Sequence, residues 1–154
     1  MLLRRFIVAT ATLLLAAPVV ALDEEQARKA AETRQAVLTV MGWNVAPLGA
    51  MARDLVPWDD ALFARNAQRI AWMTTMIPDA FRADTRGHEL ETEALPVIWE
   101  DHARFEELAA NVRRSAERLA EVAAGGDRGV ARAAVTALID DCKACHERFR
   151  EETQ

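Results

Sequence analysis

From about Asp23 onward, apolar residues recur three and four positions apart, and no stretch alternates with a period of two. That spacing marks helices with one buried face. The first segment runs from about Asp23 to Ala46, with Arg34, Leu38, Met41, Val45 and Leu48 on one stripe. Pro47 predicts a kink or an end, because proline has no backbone N–H and crowds the preceding turn. The second segment runs from about Trp58 to Met76, with Phe63, Ala67, Ile70, Met73 and Ile77 on one side. Pro57 is expected to open it and Pro78 to close it. A charged loop, roughly 79–95, contains Gly87. The third helix is predicted to start at Pro96, which suits a first turn. Its stripe of Ile98, Phe105, Leu108, Val112, Leu119 and Val122 is a near-heptad seam, and Gly125-Gly126 ends it. The fourth runs from about Asp127 to Glu151, with Val130, Ala134, Leu138, Cys142, Cys145 and Phe149 on one face. Four helices of about 20 residues with mostly short connections predict an all-α, antiparallel up-down-up-down four-helix bundle. There is no internal repeat and no sign of a second domain.

The residues ahead of this pattern read differently. Arg4 and Arg5 precede an apolar run from Phe6 to Val20, and Val19-Val20-Ala21 offers small residues for cleavage. Residues 1–21 are therefore expected to be a secretory signal peptide, and 22–154 the mature domain. The run is short for a membrane span, and Pro18 interrupts its end. The leader holds two of the 19 Lys and Arg and none of the 24 Asp and Glu. The remaining chain thus carries 17 cationic against 24 anionic side chains, a formal charge of −7. An acidic surface argues against nucleic acid or an anionic membrane as partner, and suits a basic protein.

The densest chemistry lies near the end of the chain, in Cys142-Lys143-Ala144-Cys145-His146. C-x-x-C-H is the attachment signature of a c-type haem. Two thiols add across the vinyl groups, and the histidine is placed to bind the iron. These are the only two cysteines, so a four-ligand zinc site lacks donors, and neither His88 nor His102 has zinc spacing. A thioredoxin-like pair should open a helix after a strand, whereas this pair lies late in a helix. A disulfide between residues three apart on one helix is awkward. Attachment of haem c occurs outside the cytoplasm, which agrees with the leader and points to the periplasm. Cys142 and Cys145 project from the inward face, with His146 one turn past Cys142, so the bundle is expected to enclose the haem. Only eight residues follow the motif. A second axial ligand is therefore expected from upstream or not at all.

These features resemble a class II c-type cytochrome and, more narrowly, the cytochrome c′ family. The resemblance covers essentially the whole chain after residue 21. It rests on the terminal run Cys142, Cys145, His146, Phe149 and Arg150, on Arg34-Gln35-Ala36-Val37-Leu38, and on Pro96-Val97-Ile98-Trp99. The resemblance implies one covalent haem c with His146 as axial iron ligand. Low-spin relatives carry a methionine four residues after the first-helix arginine; cytochromes c′ carry an apolar residue there and leave the iron five-coordinate. This chain has Leu38 at that position. Met41, one turn on, is the alternative sixth ligand, since a thioether is an accepted axial donor. Arg34 is expected to meet a haem propionate, because a buried charge needs a partner. Gln35, Phe81, Trp99 and Phe149 are expected around the pocket, and Arg150 beside His146. A homodimer through the first two helices is also implied, with Trp43 a candidate contact. His88 and His102 are expected at the surface.

The functional expectation is a periplasmic haem protein that binds nitric oxide or carbon monoxide at a five-coordinate iron. Electron transfer with a redox protein partner whose identity the sequence does not give is its second expected activity. The rival is a low-spin electron carrier ligated by Met41. A peroxidase or nitric oxide reductase ranks last, because the stripe opposite the motif holds no histidine or carboxylate to move a proton. The chain is therefore not expected to be an enzyme.

Overall fold

The computed structural model describes residues 22–151. The expected signal peptide, 1–21, lies outside the described residues. Helix α1 spans Glu24–Ala52. Asp23 begins it with a capping box: its carboxylate accepts from Gln26 N at 2.8 Å, and its own N–H donates to Gln26 Oε1 at 3.1 Å. Of the two outcomes expected at Pro47, a kink or an end, the end does not occur; the helix runs through it to Ala52. An interior proline costs about 3 kcal/mol. The turn beyond it buries Leu48 at 0% and Met51 at 2% exposure. Each such side chain contributes about 1.5–3 kcal/mol, enough to offset the proline.

Helix α2 is Asp60–Thr74, capped by Asp59 rather than opened at Trp58. Trp58 instead stacks on Phe63 at 4.6 Å, with the guanidinium of Arg132 5.1 Å from its ring centroid. Pro78 does not close α2, which has already stopped at Thr74; it sits in the first turn of a short helix, α3, Ile77–Ala80. The expected third helix is two. Val97–Glu100 forms α4, with Pro96 as its N-cap, and His102–Ala123 forms α5. Asp101 separates them at φ −117°, ψ 52°, and its carboxylate meets Arg148 of the last helix. Helix α6, Arg128–Phe149, follows Gly126 at φ +75° and the N-cap Asp127, whose Oδ1 accepts from Gly129 N and Val130 N. Gly126 suits that left-handed turn because it has no Cβ.

The four long helices form a ring in the order α1, α2, α5, α6. Phe63, Ile70, Phe105, Val112, Leu119, Val135 and Leu138 lie at its centre, each at most 3% exposed. The predicted stripe of α6 is rotated by one position at its start. Val130 is 44% exposed and Ala134 half-buried, while Ala131 and Val135 face inward. Ala131 borders the same recess as Trp58 and Phe63. Among the described residues the only strand-like pairing is a bridge of Ala94 with Arg150. It ends α6 two residues sooner than predicted, by turning Arg150 to φ −119°, ψ 138°.

Replacing Asp127 with Ala removes both cap hydrogen bonds of α6 at once. A lost N-cap costs about 1 kcal/mol. The melting midpoint should fall by roughly 4 °C in a calorimetric scan, with helix content at 20 °C unchanged.

Candidate functional site

The seam between α1 and α6 is the most open of the four in the ring. At its lower end α6 is anchored to α1 by Arg132, which donates to Met51 O at 3.1 Å and pairs with Asp54. Gly49 then lets the helices approach closely, since a Cβ there would lie 3.4 Å from Ile139 Cδ1. Beyond this contact the helices part, leaving a cleft of about 440 Å³. That falls within the roughly 300–1,000 Å³ of cofactor clefts. Val45 and Ile139 give it an apolar wall, and Cys142, Lys143, His146, Glu147, Arg150 and Glu151 complete it.

Cys142, His146 and Arg150 are successive turns of one helix face, which is why they line one cleft together. Cys142 and Cys145 are half-buried, packed against the core, and not joined to each other. Burial, the neighbouring thiol and Asp141 push Cys142 up to about 11; burial alone does the same for Cys145. Both are therefore protonated thiols at neutral pH. His146 is exposed on the cleft side, yet its walls lower its pKa by desolvation. The charge of Arg150 lowers it further, and Glu93 opposes both. A lowered pKa keeps the imidazole neutral at pH 7, the form that binds a metal.

The other predicted residues are not in this cleft's wall. Arg34 is 2% exposed and sits in an aromatic cluster. Its guanidinium carbon lies 5.5 Å from the Phe81 centroid and 5.1 Å from that of Trp99. It donates to Thr85 Oγ1 at 2.9 Å and to Ala83 O at 3.4 Å, and its Nε is buried without a partner. Desolvation lowers its pKa, but the group remains a cation. Phe81 and Phe149 both pack on Phe105, and Trp99 Nε1 donates to Phe81 O at 3.1 Å. Gln35 reaches across to donate to Glu91 O at 2.9 Å. Leu38 is half-buried against the core and Met41 is 8% exposed within it. His102 is exposed and His88 half-buried.

Sequence reading overlooked Ile139, Lys143, Glu147 and Glu151 as cleft residues. All lie within a turn or so of Cys142 or His146, so helical spacing could have found them. The residues present fit a covalently held haem. A thiol and an imidazole share an apolar-walled cleft, and a second thiol lies one turn from the first. A buried guanidinium keeps one donor unspent.

The chain is similar to known proteins over most of its length. A family model described as Cytochrome C' matches residues 29–150. The cytochrome c' of Halomonas halodenitrificans is 36% identical over 123 residues, covering 77% of this chain and 93% of that one. Among solved structures, the cytochrome c' of Rubrivivax gelatinosus superposes with TM-score 0.75 at 30% identity, over 81% of this chain and 97% of its own. The nitric oxide complex of a variant cytochrome c prime from Alcaligenes xylosoxidans superposes with TM-score 0.74 at 26% identity, over 82% and 97%.

Arg34→Leu keeps the bulk of the side chain and removes its donors. Thr85, 4% exposed, then loses its guanidinium donor. Orphaning a buried polar partner costs about 1–3 kcal/mol. The denaturant midpoint should drop accordingly, and the Trp99 indole N–H resonance should shift or broaden.

Proposed function

This chain belongs to the cytochrome c′ family, and on that premise we propose a periplasmic gas-binding protein that takes nitric oxide, and carbon monoxide, at a five-coordinate iron and also passes electrons. Like its relatives it carries one covalently bound haem c. When bound, that group supplies an iron able to take a diatomic ligand and to exchange one electron.

Cys142 and Cys145 would hold the haem through thioethers, and His146 would present its neutral imidazole to the iron. The observation that carries the reading is the α1 stripe across the seam. Val45 lines the cleft, and Met41 and Leu38 lie one and two turns before it on α1, packed in and against the core. The three side chains bring hydrocarbon and one thioether, with no histidine, acid or hydroxyl among them. Leu38 has no lone pair to give an iron, and no hydrogen to donate to a polar ligand. Small neutral diatomics that bond strongly lose least from such a wall. The nitric oxide complex of the Alcaligenes protein supports the choice of ligand. The same stripe lacks a proton-transfer group, which supports binding and carriage over catalysis. Periplasmic location rests on the Arg4–Ala21 leader.

The rival reading makes the Met41 thioether a sixth ligand. Met41 is part of the central core cluster, which favours the role of packing residue. A homodimer follows from a different observation. Val40 and Trp43 of α1 are 49% and 70% exposed, and Trp72 and Met76 at the α2 side are 64% and 48% exposed. Exposed tryptophans on two adjoining helices are side chains of the kind that a second copy covers.

The spectrum of the reduced protein should be high-spin. Leu38→Ala should speed carbon monoxide association by about tenfold or more, which is ~1.4 kcal/mol off the barrier. Leu38→Met should move the iron to low spin, and Met41→Leu should leave the resting spectrum as it was. A low-spin native protein that turns high-spin in Met41→Leu would falsify the gas-binding assignment. Cys145→Ser should leave at most one thioether, read by mass after extraction with acidified organic solvent. Trp43→Lys should convert a dimer to monomer in sedimentation at high micromolar concentration.

A further inference from the structure

The segment leading into α4 is tied to both helices that flank the cleft. On the α1 side, Gln35 Nε2 donates to Glu91 O at 2.9 Å. On the α6 side, Glu151 N donates to Glu93 O at 2.8 Å and Leu95 N to Phe149 O at 3.0 Å. These bonds flank the bridge of Ala94 with Arg150. Across them Glu93 Oε2 lies 3.3 Å from Arg150 Nε. Arg150 lines the cleft one turn beyond His146. The other cation on this rim, Lys143, is engaged with Glu147 at 3.5 Å, which leaves Arg150 to Glu93.

Exposed ion pairs usually gain little, because two long side chains must be ordered to meet. Here the backbone bridge sets the two residues opposite each other before the side chains close. Less freedom remains to be lost. Both charges also reach the imidazole, since Arg150 lowers the basicity of His146 and Glu93 raises it.

We propose that Glu93 is a positioning residue of this site: it holds the Arg150 guanidinium at the His146 side of the cleft, and so fixes how strongly that cation favours the reduced iron. The proposal rests on His146 as the axial residue. A cation near the iron disfavours the oxidised state in proportion to its nearness. A guanidinium that is held acts at a set distance; a released one spends its time in solvent and acts weakly.

The test is a double-variant cycle on the haem-bearing protein, read as midpoint potential at low salt. Arg150→Gln should lower the midpoint in the native background, and by clearly less in the Glu93→Gln background. The native-background shift should shrink as salt is raised. Glu93→Gln keeps the main-chain bridge. The Leu95 and Glu151 amides should nonetheless exchange up to about five times faster, the ratio that ~1 kcal/mol of one ion pair corresponds to. Equal Arg150→Gln shifts in both backgrounds would overturn the proposal, because Arg150 would then act without Glu93. Failure of the axial reading shows separately, as a resting spectrum unchanged by His146→Ala.

Discussion

The α1–α6 seam must stay open enough to admit a cofactor while the last helix stays rigid enough to place three functional side chains. A helix that loses packing along one face ordinarily loses definition there, because burial supplies most of its stability. α6 answers this by being fastened at both ends of the seam. At its start, Arg132 caps the final carbonyls of α1 and pairs with Asp54. At its finish, the 93–95 segment bridges it and Asp101 pairs with Arg148. Between these fastenings, α5 covers the opposite face of α6 closely, with Leu138 and Val135 at most 1% exposed. The cleft is thus a local parting between two helices that remain fixed beyond it in both directions.

Arg34 shows how costly features are handled away from the cleft. A guanidinium at 2% exposure should be expensive unless paired. No carboxylate meets it. Two aromatic faces, one hydroxyl and one carbonyl do, and aromatic contacts with a desolvated cation contribute about 2 kcal/mol. That partial satisfaction pins the 81–85 turn to α1, and with Trp99 it orders the start of α4. The position of Glu93 follows from this, since the segment carrying it hangs between the Arg34 cluster and the end of α6.

Much of this was legible in the sequence. Helical periodicity gave the four long helices and the seam of the predicted third, where all six positions are buried, Ile98 in α4 and the other five in α5. The pentapeptide gave the cofactor. What escaped was set by tertiary contacts that local rules do not contain. Pro47 signals an end, yet burial of Leu48 and Met51 carries α1 past it. Asp101 carries no breaking signal of its own; a partner 47 residues away draws it out of the helix. Val130 looked like a core residue by spacing alone, whereas Ala131 and Val135 are the positions that α6 turns inward. Glu93 could not have been singled out among the alternating acids Glu89, Glu91 and Glu93, because only the bridge to α6 distinguishes it.

The hydrogen bond from Arg132 to Met51 joins residues 81 apart, and it belongs to the seam between the first helix and the last. Contacts so distant in the chain form late, since a long loop must be closed before they return anything. α2, α5 and α6 can assemble through their close-packed neighbours first, with α1 docking on α6 as the final step. Loosely packed, long-range contacts are also those that open first in a folded protein. The attachment thiols therefore lie beside the seam that joins the two ends of the chain. A planar cofactor can be joined to α6 before that closure, without unfolding the rest.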